Sequence, residues 1–297
     1  MKFLQNNATT VPTPKLYAYE PPGSQQAVDV GACYMLIEGF YGNTLQDVKF
    51  DICDLPTNTQ ERIISQWASV QAELATFSFP QIGSISNFSK EDDGVVTIGP
   101  LAAAAAERFA FGGPFATCTF VFCDIVASTE LFKDKETSFH LNHMDMGTQN
   151  ILVDDEFNFL AVIDWEFAQS APVQVNHFPM PFPLISSEAS IQKILQDTEH
   201  LAFRNVSRQT AAQQLYWQKF QDAERNLAEQ GRPVIPSISE RLRGPASRIY
   251  AILEKLGGFW GPKDLTYEMV RLSFGIEGDA AKEYLERMER KMNEKES

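Results

Sequence analysis

The sequence predicts an α+β protein with short strands confined to the first 165 or so residues and long helices filling most of the remainder. Three observations carry this reading. Short apolar runs bounded by Pro, Gly or polar turns occur at 15–19, 33–38, 151–153 and 159–163, which is the pattern of strands. Ile63, Ile64, Trp67, Val70 and Leu74 recur at helical spacing within 56–75, marking an amphipathic helix. From residue 188 the chain carries charged faces and apolar stripes over 188–230, 236–256, 263–274 and 277–294.

Taken in order, residues 1–10 read as the tail of a helix followed by a polar loop. Pro12 and Pro14 then force extended backbone ahead of the strand at 15–19. CYMLIE at 33–38 is apolar enough for a buried strand, and GFYG at 39–42 ends it. Thr57 or Asn58 is the expected cap of the helix at 56–75. QIGSIS and VVTIGP flank the polar run NFSKEDDG and predict a hairpin. The alanine run at 102–106 has high helix propensity but nothing large to bury, and Gly112, Gly113 and Pro114 close it. Residues 115–132 return to an apolar helical pattern, and a proline-rich turn at 179–183 precedes the C-terminal helices. Tyr284, Leu285, Met288 and Met292 form a packing stripe.

Composition narrows the partners. At 297 residues the chain suffices for one large domain or two modest ones. Its 25 Lys and Arg against 39 Asp and Glu leave a net charge of −14, a field that repels nucleic acid and anionic membranes and attracts small cations. Cys33, Cys53, Cys118 and Cys123 form no CxxC pair and no metal spacing with the four His, so buried, reduced thiols are expected. MKFLQNNATT offers no apolar signal run, and no stretch nears the ~20 apolar residues of a membrane span. These features fit a reducing, cytosolic (cytoplasmic) setting.

The chemistry concentrates in HMDMGTQN-ILV-DDEFN-FLAVI-DWE, residues 143–166. Two short apolar strands around the turn DDEFN predict a tight antiparallel hairpin. Asn150 precedes the outgoing strand and Asp164 follows the returning one, so both belong at the same open end. Asp145 lies in the loop leading into that end. Magnesium takes oxygen ligands and usually only one or two carboxylates, leaving room for phosphate and water. Asn150 and Asp164 could supply that partial cage, and Asp145 could accept the proton of an attacking hydroxyl.

H-x-D-x-x-x-x-N followed by a hairpin and I-D-W-E resembles the signature of aminoglycoside phosphotransferases and related small-molecule kinases, distant relatives of protein kinases. The resemblance implies a protein-kinase-like fold using ATP and Mg2+ to phosphorylate a hydroxyl of a small acceptor. It implies Asp145 as catalytic base, Asn150 and Asp164 as magnesium ligands, and His143 as a brace of the loop. Trp165 and Glu166 in place of Phe-Gly point toward small-molecule kinases. Upstream, VPTPKLYAYE resembles the family's proline-marked strand and ACYMLIEGFYGNTL its hinge, placing Glu38 at the adenine-contacting backbone with Gly42 opening the next segment. The resemblance covers roughly residues 8–185 and divides the chain into an N-lobe and hinge remnant, 1–42, and a helical C-lobe, 43–297. Acidic C-terminal helices would suit a cationic acceptor.

The family's glycine-rich loop, strand lysine and helix glutamate all precede the proline-marked strand. Only ten residues precede Val11, so an incomplete N-lobe is expected. The chain then reads either as an N-terminally truncated kinase or as a short form retained as a pseudokinase-like binding module. Such a short form would leave a sheet edge and an apolar face uncovered.

Overall fold

The computed structural model describes residues 1–88, 96–100, 114–133, 138–179, 186–234, 237–256 and 263–296. The expected helix at 102–106, its closing Gly112 and Gly113, the turn at 89–94 and residues 180–183 of the proline-rich turn lie outside the described residues. The described residues combine α-helices with antiparallel sheets.

Helix α1 (Lys2–Asn7) leads through extended chain to β1 (Leu16–Glu20). Helix α2 (Gln25–Val30) is capped by the Ser24 hydroxyl, which accepts from the Ala27 N–H, and ends at Gly31 in the left-handed region. Strand β2 (Tyr34–Ile37) pairs with β1 as a two-stranded sheet. The sequence expectation of a buried strand fails here. Met35 and Leu36 are 52% and 54% exposed, because the apolar run sits on a sheet too narrow to be enclosed.

Strand β3 (Asn43–Thr44), α3 (Leu45–Val48) and α4 (Thr57–Ala75) follow. Neither expected residue caps α4: Pro56 occupies that position without a side-chain bond, and Thr57 begins the helix. The start is tied instead by Gln60, whose Nε2 donates to the Leu55 carbonyl at 2.6 Å. Strands β4 (Ser78–Phe79), β5 (Gly83–Phe88) and β6 (Val96–Ile98) come next, then α5 (Pro114–Ser128) and β7 (Phe139–Asn142). The expected hairpin is β5 with β6. Strands β8 (Ile151–Val153), β9 (Phe159–Val162) and β10 (Gln169–Ala171) complete the sheets, one ordered β4-β7-β10-β5-β6 and one β3-β8-β9.

The C-terminal part is α6 (Glu188–Gln196), α7 (Phe203–Glu229), α8 (Ile238–Arg241), α9 (Pro245–Leu256), α10 (Lys263–Phe274) and α11 (Gly278–Glu296). Two expected helices are each divided. Asp197 breaks the first by accepting the Glu199 N–H on its own side chain. Pro245 starts a new helix in the second, where its missing N–H is not needed.

Two cores hold these elements. Ile63, Ile64, Trp67 and Leu74 of α4 join Tyr216 and Phe220 of α7, Leu4, Val11 and the β8–β9 hairpin in one cluster. The second gathers α5, α9, α10 and α11 through Cys118, Val121, Ile249, Met269, Tyr284 and Met288. Cys53 and Cys118 are buried, and burial pushes both thiols up to about 12. Contrary to expectation, Cys33, just before the exposed strand β2, and Cys123, on the outer side of α5, are exposed; all four are free.

Glu73, fully buried on α4, pins the N-terminal segment. Its carboxylate accepts the Thr9 N–H at 2.7 Å, the Thr10 N–H at 2.6 Å and both hydroxyls, with Arg232 at 3.6 Å. Burial alone would raise its pKa, but the threonine hydrogen bonds outweigh it and hold the carboxyl below its ordinary value.

Candidate functional site

Strand β7 delivers the chain to Asn142, which shapes the turn that follows. Its Oδ1 accepts the Met144 N–H at 3.0 Å, and its Nδ2 donates to Asn176 Oδ1 at 2.8 Å. Met144 has φ of 65°, a left-handed conformation that costs a non-glycine residue about 1 kcal/mol or more. The reversal turns His143 inward and leaves Asp145 exposed.

His143 is fully buried, and its Nε2 donates to the Ile163 carbonyl at 2.9 Å. Its ring meets Trp165 edge to face at 4.5 Å. Burial pulls its pKa from 6.5 to about 4; the Ile163 bond and the nearby Asp164 charge oppose that shift without cancelling it. His143 is therefore a neutral strut joining the loop to the far end of the hairpin.

A tight turn follows. The Gly147 N–H donates to the Asp145 carbonyl at 2.9 Å, and the Asn150 N–H to the Gly147 carbonyl at 3.0 Å. Asn150, 5% exposed, donates Nδ2 to the Asp145 carbonyl at 2.8 Å and to Asp145 Oδ2 at 3.1 Å. Both bonds use the amide nitrogen, so its Oδ1 is not spent on Asp145. Gln149 Nε2 reaches Asp145 Oδ1 at 3.3 Å.

Strands β8 and β9 pair antiparallel with Ile151 opposite Val162. The ladder continues one step outward, where the Ile163 N–H donates to the Asn150 carbonyl at 2.9 Å. Asp164 follows at φ 61° and ψ 59° and is exposed. Trp165 Nε1 holds this bend by donating to the Val162 carbonyl at 2.7 Å. Asp145 and Asn150 are thus in direct contact, and Asp164 stands one residue beyond the Ile163 that bonds both Asn150 and His143.

Glu38 lies apart, just past β2. Its N–H donates to the Lys15 carbonyl at 2.8 Å, and its carboxylate accepts the Lys15 N–H at 3.1 Å. Gly42 is fixed by close approach: a Cβ there would sit 2.7 Å from the Val153 carbonyl oxygen.

A cavity of about 170 Å³ opens on the Asp145 side of the loop. Met144, Asp145 and Gln149 form one wall, and Asn176, His177 and Glu254 the other; Asn150 and Asp164 do not line it. The sequence reading missed the second wall. His177 sits alone after β10 and Glu254 is one acid among many on the C-terminal helices, so no spacing links them.

No protein-family model matches this chain, and no curated protein matches it. Among solved structures it is similar to the apo crystal structure of a thermostable mutant of aminoglycoside phosphotransferase APH(4)-Ia. That similarity spans 97% of this chain and 81% of the other at 14% identity, with a TM-score of 0.40. At that level the chemistry has to be argued from the site's own geometry.

The donor set suits a hard cation. Among the described residues no group of three or more His, Cys, Asp or Glu could hold a metal. A metal here would rest on two protein oxygens, from Asn150 and Asp164, with its other positions open, as Mg2+ sites that bind phosphate require. Among the described residues no helix is long and apolar enough to cross a membrane.

Proposed function

We propose that this chain is a phosphotransferase of the kinase-like kind, moving a phosphoryl group from ATP to a hydroxyl of a small molecule. The observation that supports the reading is the bonded sequence Asp145–Asn150–Ile163, which ties an exposed carboxylate to Asn150 and runs to the residue before Asp164. Asn150 and Asp164 would hold Mg2+, which when bound neutralises phosphate charge. Asp145 takes the acceptor's hydroxyl proton; its carboxylate is oriented by Gln149 and Asn150 and faces the cavity where an acceptor would sit. His143 and Trp165 act through the backbone, fixing the positions of Ile163 and Asp164. The carbonyl of Glu38 is the proposed adenine contact.

The test is thermal denaturation with millimolar Mg-ATP. A stabilising shift in the wild type that vanishes in Asp164→Ala supports the reading. Asp145→Asn should keep that shift and lose about 10²–10⁴-fold in phosphorylated product measured by mass spectrometry. No shift at all favours a second reading, a binding module of the same fold without turnover. The exposed apolar side chains of Tyr17, Tyr19, Met35 and Leu36 favour that alternative, because they offer a surface for a partner.

A further inference from the structure

Two asparagines that the phosphotransfer scheme does not use, Asn142 and Asn176, line the Asp145 cavity and stand 34 residues apart in the chain. The groups at either end of the pair settle how both amides are turned. A backbone N–H only donates, so the Asn142 atom 3.0 Å from the Met144 nitrogen is Oδ1. That turns Nδ2 toward Asn176, and the atom it meets at 2.8 Å must accept, which makes it Asn176 Oδ1. Asn176 Nδ2 is then left facing the Val173 carbonyl at 3.1 Å, a group that only accepts. A fixed donor at one end and a fixed acceptor at the other agree on one orientation for both side chains.

The network continues into α9. Buried Ser247 donates its Oγ to the Asn176 carbonyl at 2.5 Å, and the Asn176 N–H donates to the Val173 carbonyl at 3.1 Å. Asn176 is thereby fixed to the helical part of the molecule, while Asn142 reaches into the loop. At the loop end stands Met144, whose φ of 65° sends His143 inward and Asp145 out. A non-glycine residue stays left-handed only where its surroundings hold it there. His143 ties its own position to Ile163; the asparagine pair bonds Met144 itself.

We propose that Asn142 and Asn176 are positioning residues for phosphotransfer: as one amide clasp anchored on α9, they keep Met144 left-handed and so hold the Asp145 carboxylate toward the cavity. The proposal rests on the phosphotransferase reading for the role of Asp145. Asn150 is tied separately to the hairpin end, through the Ile163 N–H, so opening the clasp leaves the metal-holding end in place.

Two readouts on the full chain decide it. Amide hydrogen exchange by NMR asks first whether the clasp acts as a unit. The Met144 N–H should exchange about tenfold faster in Asn176→Ala, as the loss of one hydrogen bond implies, with the Ile163 N–H unmoved. Asn142→Ala and the double variant should show the same rise, since a clasp opened at one end is open. ADP released from Mg-ATP is read next, with water as the acceptor: its oxygen bonds the γ-phosphorus, the bond to the β-phosphate oxygen breaks, and Asp145 takes the proton. Asn176→Ala should lower kcat about tenfold and leave KM for Mg-ATP within about twofold, the split expected of a misplaced base. Unchanged Met144 exchange in Asn176→Ala, an equal rise at Ile163, or an unchanged kcat each overturns the proposal. A wild type with neither an Mg-ATP shift nor ADP release overturns the phosphotransferase reading instead, and the exchange result still decides the clasp.

Discussion

Two antiparallel strand pairs of nearly the same size and apolar content meet opposite fates in this molecule. In β8–β9, Ile151, Ala161 and Val162 are completely buried. In β1–β2, Tyr17 and Tyr19 are 61% and 56% exposed, and Met35 and Leu36 more than half. The two ladders themselves are alike, antiparallel with three to five residues and one irregularity each, although β8 also pairs with β3 on its other side. What separates them is cover. Gln66 on α4 clamps the β8–β9 turn by donating to the Phe157 carbonyl at 3.0 Å and accepting the Phe159 N–H at 2.8 Å. Arg62 donates to the Glu156 carbonyl at 2.8 Å, and the Val162 N–H donates to the Pro12 carbonyl at 2.7 Å. The β1–β2 sheet has the Lys15–Glu38 clasp at one end and exposed apolar side chains along its length. A two-stranded sheet alone is marginal in water, so precision at the site comes from the packing around its hairpin and not from the hairpin itself.

The largest way to break this contrast is to remove the anchor behind the well-held hairpin. Glu73→Ala leaves the N–H groups and hydroxyls of Thr9 and Thr10 without their buried acceptor. We expect a loss of about 3–5 kcal/mol in urea unfolding. A loss below about 1 kcal/mol would mean that Pro12 does not need the Thr9–Thr10 segment to back β9.

A smaller effect, of about 3 kcal/mol, should appear with pH. His143 has a folded pKa of about 4 against an ordinary 6.5, so between those values the unfolded chain binds a proton that the folded one refuses. Stability is therefore full above pH 6.5 and declines as pH falls toward 4. Glu73 and Glu268, both held below their ordinary 4.5 by hydrogen bonds and, for Glu268, by Arg271, add their own loss only below that value. Chemical denaturation of the wild type and His143→Gln at pH 7 and pH 5 isolates the histidine. The wild type should lose about 2 kcal/mol more than the variant across that range, and an equal slope in both proteins would remove His143 as the buried strut.

The smallest expected effect concerns the exposed strand pair. Leu36→Lys should change unfolding stability by no more than about 0.5 kcal/mol, because the side chain is already in water. It should nevertheless reduce concentration-dependent association in sedimentation velocity, because an uncovered apolar sheet edge is a surface for self-pairing. A large stability loss would show that β2 is covered in solution, and the contrast between the two strand pairs would go.

Much of the candidate site was legible because its information is local. The alternation of ILV and FLAVI around a polar turn defines a hairpin, and chain order alone brings Asn150 and Asp164 to one end of it. What made those positions exact was not readable. Met144 and Asp164 adopt left-handed backbone that neither residue type announces, and the strut from His143 to Ile163 spans separate segments. Strands of two or three residues, such as β3, β4 and β10, are too short to leave a period. Nothing near Glu73 in the chain marks it as an anchor, because its partners are Thr9 and Thr10, 64 and 63 residues away.

By itself, the sequence determined the kind of each longer element, the α4 and C-terminal helices through their apolar spacing, and the meeting of Asp145 with the hairpin mouth. Those outcomes depend on neighbours a few residues apart, where backbone geometry leaves few choices. Only the tertiary structure decided which strand pair would be buried, which carboxylate would be held as an internal anchor, and that His177 and Glu254 would stand across one cavity from Asp145. Each of these requires side chains far apart in the chain to lose water together, and that free energy belongs to the packed whole and not to any segment.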